Sequence, residues 1–209
     1  MERLALVVLV MISVAVLAPI GISYGSPTQV SIATAKAVYR YGDSLSFSVT
    51  VSNVTGDTAV LEIVDQSNHS SSPIDMEITK PISNITAPVP FYKTTFPPGT
   101  YFVKIQYAGA SSVASFQLVD TENIVIPPQF KVVASSWAQN QTATILFGEH
   151  IAELVSSGVI EIDNYQEQNT TSIPAWFKND ALWWSSGSVS DNDFGHAIKY
   201  LIESDIMKV

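Results

Sequence analysis

The sequence contains no cysteine. That excludes disulfide cross-links, thiolate metal sites and cysteine nucleophiles, and with them a blue-copper centre. Positive charge is scarce too: ten Lys and Arg stand against 19 Asp and Glu, a formal net charge of −9. Nucleic acid and anionic lipid surfaces recruit clustered Lys and Arg, so neither is an expected partner. Charge of either sign makes up only 14% of the chain. The surface must then be built mainly from neutral Ser, Thr and Asn, which suits an extracellular protein.

Catalytic signatures are equally thin. There are three histidines, His69, His150 and His196, and the one Gly-x-Ser-x-Gly string, residues 21–25, falls ahead of the first predicted strand rather than between a strand and a helix as a nucleophile elbow requires. Asp191 and Asp193 are spaced like the start of an EF-hand loop. However, the position that loop reserves for glycine holds His196, and no Glu stands at the twelfth. Helix capping is the better reading of these two carboxylates. No enzyme activity, cofactor or metal is therefore expected.

What is present begins with an apolar run, Leu4 to Ile20, behind Glu2 and Arg3 and ahead of the small residues Ser23 and Gly25. This describes an export signal over residues 1–25, cut after Gly25. The alternative is an uncleaved N-terminal anchor, since the run approaches the length of a membrane span. That segment is the only expected contact with a membrane. Five Asn-x-Ser/Thr sequons, at Asn53, Asn68, Asn84, Asn140 and Asn169, are candidate glycosylation sites and agree with export.

Residues 28–120 carry a period of two. Leu45, Phe47, Val49 and Val51 alternate with Ser44, Ser46, Ser48 and Thr50, a strand with one buried and one wet face. Val60 to Val64, Tyr101 to Tyr107 and Ala114 to Leu118 give three more strands, and weaker ones are expected near 29–35, 74–79 and 89–95. Turn signals such as Tyr41-Gly42-Asp43 and Pro97-Pro98-Gly99 separate them. About seven short strands at this spacing predict an immunoglobulin-like antiparallel β-sandwich, in which Tyr101 is either a corner-tying tyrosine or a plain core aromatic.

The C-terminal part repeats itself. Residues 126–162 align without a gap on residues 173–209, with 11 of 37 positions identical, where chance gives about two. The matches include Pro127/Pro174, Phe130/Phe177, Trp137/Trp184, Phe147/Phe194 and Gly148/Gly195. Within the second copy, Pro174 suits a first helical turn, and Ile173, Phe177, Ala181 and Trp184 recur at helical spacing up to Gly187. Ser190 and Asp193 then form an N-cap signature ahead of the apolar stripe Phe194, Ala197, Ile198, Leu201. A duplicated two-helix unit follows from this, its copies joined by a polar linker over 163–172. One such unit is too small to hold a core alone. The copies are expected to pack on each other through Trp137, Trp184, Phe147 and Phe194. The fold class is thus mainly β plus α.

Two stretches also resemble known families. Val38-Tyr39-Arg40-Tyr41-Gly42-Asp43 with its following alternating strand, and the later Gly99-Thr100-Tyr101, look like macroglobulin-type immunoglobulin-like domains. Such domains are frequent in secreted proteins of ammonia-oxidising archaea. Ile173-Pro174-Ala175-Trp176-Phe177 through Trp183-Trp184, with Asp193-Phe194, resembles a short repeat of the same secreted proteins. The resemblance implies a secreted archaeal protein and carries no known activity. The first copy departs from the pattern, with Gln129, Ser136 and Gln139 in place of Trp176, Trp183 and Ser186.

That departure singles out two residues. Trp184 has a matching Trp137 and reads as core, whereas Trp176 and Trp183 have polar counterparts and are free to face outwards. An exposed tryptophan pair fits stacking on sugar rings or on a protein partner. The expected function is a non-catalytic secreted or cell-surface protein contacting an envelope protein or glycan. The alternative is a secreted hydrolase or an accessory subunit of an envelope enzyme complex. A pocket holding a histidine beside Asp or Glu would favour that alternative. The sequence does not fix the oligomeric state.

Overall fold

The computed structural model describes residues 27–166, 168 and 170–209. The export segment and the sequon at Asn169 lie outside the described residues. The β half holds eight strands: β1 Val30–Thr34, β2 Val38–Arg40, β3 Ser44–Val51, β4 Thr58–Asp65, β5 Ile74–Glu77, β6 Ile82–Pro90, β7 Gly99–Tyr107 and β8 Ala110–Val119. They form two sheets, ordered β1-β3-β6 and β2-β8-β7-β4-β5. The first strand is divided between them: β1 runs antiparallel to β3, while β2 runs parallel to β8 in the other sheet. With β4, β7 and β8 side by side in one layer and β3 facing them from the other, this is an immunoglobulin-like sandwich.

Alternation does the folding. Leu45, Phe47, Val49 and Val51 of β3 meet Tyr101, Val103, Ile105 and Tyr107 of β7 in one core. Immunoglobulin domains usually centre that core on a disulfide and a tryptophan. This chain has no Cys, and all four of its Trp lie in the helical half. Aromatic rings fill the space instead: Tyr101 stacks on Phe116 at 5.4 Å, and Tyr39 meets Phe116 edge-on at 5.1 Å. The Tyr101 hydroxyl donates to the Pro97 carbonyl at 2.6 Å, four residues upstream. That bond makes Tyr101 a corner-tying tyrosine as well as a core aromatic.

One strand sits elsewhere than the pattern suggests. Residues 89–95 read as a weak strand, but the strand is β6, which ends at Pro90. Pro81, Pro88 and Pro90 read as breakers, and an edge strand tolerates them because its outer N–H groups need no partner. Phe91 leaves the sheet yet is buried in the sandwich core.

The helical half comprises α1 Gln129–Ala138, α2 Thr144–Ser156, α3 Phe177–Ser185 and α4 Asp191–Glu203. Helix α3 starts one turn later than Pro174, whose carbonyl accepts the Phe177 N–H at 3.0 Å. Ser190 caps α4 through the Asp193 N–H at 3.1 Å. Residues 47 positions apart have matching surroundings. Trp137 stacks on Phe147 at 4.3 Å and Trp184 on Phe194 at 4.1 Å. The Trp137 indole donates to Thr144 at 3.1 Å, and the Trp184 indole donates to Asp191 at 2.9 Å.

These four rings share one core, but not in the way the alignment suggests. Trp and Phe stack within each helix pair rather than between pairs. Across the seam, Lys131 lies over the Trp184 ring at 5.4 Å and Lys178 over the Trp137 ring at 5.3 Å. Each tryptophan turns one face to its own phenylalanine and receives a cation from the other pair. The connection over 163–172 is also not a free linker. Ser172 pairs with Lys208 in an isolated antiparallel bridge, and Thr171 packs against Gly148.

Alternating residues join the halves. Ile124 and Ile126 are buried in the helical core, whereas Val125 between them packs on the sandwich core. Their N–H groups are taken up by α4: Ile124 donates to Asn192 at 3.1 Å and Ile126 to Asp191 at 3.0 Å.

Candidate functional site

Asp191 aims the exposed face of α3. One oxygen accepts the Trp184 indole and pairs with Lys131 at 2.9 Å, and the other takes the Ile126 N–H. Trp184 is thereby held inside, 1% exposed. Each residue turns an α-helix by about 100°, so Trp183, next in sequence, is directed to solvent. It is 51% exposed, and Trp176, two turns earlier, is 56% exposed. Seven residues advance a helix by about 10 Å, which sets the spacing of the two rings along the axis. Asn179 and Ser186 continue the exposed stripe, and Leu182 flanks it. The one base at its start, Lys178, is turned to Asn140 and the Trp137 ring, so the residues named in the stripe are uncharged.

Sequence reasoning missed two contributors. Leu182 aligns with Ser135 and is as solvent-facing as a binding residue. Asp191 was weighed as a cap or a calcium ligand, yet it is a hub of three contacts. The identity of Lys131 and Lys178 as matching positions of the internal repeat is the signal available in the sequence.

Four sequons are described. Asn53 and Asn68 lie exposed in loops, and Asn140 lies exposed at the end of α1. Asn84 sits within β6 rather than in a loop, exposed on an edge strand. Asn68 and Asn140 have φ of 65° and 62°, a left-handed conformation Asn tolerates better than most residues.

A cleft of about 250 Å³ opens where the two halves meet, and His196 lines it with Asp120, Glu122 and Glu161. Its charged side chains are engaged with one another across the junction. Lys93 pairs with Asp120 at 2.6 Å and also with Glu161, linking the sandwich to the helical half. Burial pushes the Asp120 carboxyl up, but the Lys93 bond and charge and backbone N–H donors outweigh it and leave it below the usual range. Such a carboxylate stays ionised and engaged and is poorly suited to proton transfer. The His196 ring is held by the Asn192 carbonyl at 2.7 Å. Among the described residues, no Ser, Thr or Cys lines the cleft. His69 pairs with Asp65 in a loop, and His150 bonds the Leu146 carbonyl. Among the described residues, no group of three or more His, Asp or Glu side chains is placed to hold a metal, and no helix is long and apolar enough to cross a membrane.

No family model and no curated protein sequence matches this chain. Solved structures with a likeness to it are immunoglobulin-type modules for the most part. The Dscam1 Ig7 domain is 17% identical, covering 44% of this chain and 97% of its own, with a TM-score of 0.24. The M1 domain from titin is 12% identical, covering 45% and 92%, at 0.25. The sulfur carrier protein SoxY from Chlorobium limicola is 14% identical, covering 46% and 81%, at 0.25. In a longer Dscam structure the likeness spans 21% of the other chain. These values carry no argument about activity, and the immunoglobulin-like description rests on the strand order above.

Proposed function

We propose that this is a non-catalytic secreted or cell-surface protein, in which the sandwich and a duplicated two-helix unit present the Trp176–Trp183 face of α3 to a protein or glycan of the cell envelope. One observation carries this reading: of four tryptophans in the helical half, two are about half exposed on one helix side, while the other two are 1% exposed. Large exposed aromatics on a rigid element are characteristic of contact surfaces. Export is supported by the leading apolar run and the five sequons. A secreted archaeal origin follows from the resemblance alone.

The alternative, a secreted hydrolase or accessory subunit, has the junction cleft with His196 in its favour. The Lys93 ion pairs, and a described lining that holds no Ser or Thr, weigh against it. The deciding experiment is sedimentation of purified protein with isolated cell envelopes. Wild-type protein is expected to co-sediment and the Trp176→Ala/Trp183→Ala double variant to remain in solution. Protease and glycosidase treatment of the envelopes then distinguishes protein from glycan. Equal sedimentation of both proteins would remove this face from consideration.

A further inference from the structure

The seam between the two helix pairs is reciprocal. Lys131 of the first pair covers Trp184 of the second, and Lys178, its counterpart 47 residues on, covers Trp137 of the first. The leading segments cross over in the same way. Ile124, two residues before the first unit, packs on Gly195 in α4, and Thr171, two before the second, packs on Gly148 in α2. A Cβ at Gly195 would lie 2.6 Å from Ile124 Cγ2, and one at Gly148 would lie 2.4 Å from Thr171 Cγ2. Four contacts therefore form two symmetry-matched pairs. A surface that meets its own counterpart in this way is isologous, the arrangement of a two-fold dimer.

We propose that the helical half is a fused dimer whose seam also closes between molecules, with a second copy of this chain as partner through exchange of α3–α4. Every contact named above is the same whether the two units belong to one chain or two, so exchange loses none of them. The connection over 163–172 alone favours closure within one chain. Covalent linkage of the two units gives an effective concentration on the order of 1 mM, so a chain at about 10 µM closes on itself. One ion pair also crosses the seam, Lys131 with Asp191 at 2.9 Å, and exchange would keep it. This inference is independent of the Trp176–Trp183 face, which lies on the outside of α3.

The test removes the tether's reach. Deleting residues 163–167 from the otherwise complete chain joins Ile162 directly to Gln168, with about 3.8 Å between their Cα atoms. Light scattering at about 10 µM, well below the tether's effective concentration, should give a monomer for wild type and twice that mass for the variant. Adding Lys131→Glu and Lys178→Glu to the deletion should weaken the dimer at least tenfold. A shorter deletion, 164–166, covers the case in which the longer one prevents the helices from folding. A monomer from both deletions overturns the proposal, whether its helices are paired or melted. So does a dimer indifferent to the two lysine substitutions.

Discussion

Helices α1 and α3 bury the same positions, Phe130 and Phe177, Ala134 and Ala181, Trp137 and Trp184. Their outer faces differ: where α3 shows Trp176, Leu182 and Trp183 to solvent, α1 has Gln129, Ser135 and Ser136. The inner positions are constrained by packing at near-crystalline density, in which one methylene matters. Outer positions carry no such constraint, so large apolar residues there are not explained by the fold. The comparison separates the tryptophans that hold the protein together from those that face solvent.

The largest effect should come from the shared inner positions. Trp184→Ala and Trp137→Ala should each cost about 3–5 kcal/mol, the usual loss for emptying a buried aromatic site. Chemical denaturation followed by far-ultraviolet circular dichroism checks this. A marked difference between the two would break the equivalence of the helix pairs.

Next come the glycines. Gly195→Ala should cost about 1–3 kcal/mol through overpacking, because Ile124 is buried and its N–H is tied to Asn192. Gly148→Ala should cost less, since Thr171 is only half-buried and can shift. Thermal melts of the two variants order them, and the reverse order would show that Thr171 is held more firmly than Ile124.

The two halves should also differ in alkali. The Tyr41 hydroxyl is pushed up to about 12, first by burial and then by the Asp120 charge, against about 10 in an unfolded chain. A raised pKa means the folded state keeps the proton longer. Its contribution is complete below pH about 10 and is lost as pH climbs towards about 12. Tyr41 packs in the sandwich core and donates to the Phe96 carbonyl at 2.9 Å. Alkaline melting should therefore start in the sandwich, and Tyr41→Phe should flatten the pH dependence. Near-ultraviolet circular dichroism against pH reads both.

The smallest change is expected outside. Trp176→Ala and Trp183→Ala should each alter stability by about 1 kcal/mol or less, as for surface substitutions. Losses equal to that of Trp184→Ala would make all three tryptophans structural and end the contact-face reading.

Much of this was legible because alternation and helical period are local signals. Ser44 to Val51 announces its buried face, and Ser190 with Asp193 announces a cap. What was not legible depends on distant partners. Strand β6 was hidden by prolines that only an edge position excuses. The alternation of Ile124, Val125 and Ile126 looks like a linker until two cores stand on either side of it. The Lys131–Trp184 and Lys178–Trp137 contacts could not be read from spacing, because the alignment shows that both lysines are kept but not what they cover. The exposed stripe was the easiest part of the site to anticipate, since a polar counterpart in the other copy marks a position the core does not need.

The central claim, that Trp176 and Trp183 are free while Trp137 and Trp184 are held inside, is tested most directly by hydroxyl-radical footprinting of the folded protein, read residue by residue by tandem mass spectrometry. Rapid oxidation of Trp176 and Trp183 is predicted, with Trp137 and Trp184 protected until the protein is unfolded. The neighbouring pair Trp183 and Trp184 gives the sharpest contrast, since only the turn of one helix residue separates them. Protection of Trp183 at the level of Trp184 in the isolated protein would contradict the account.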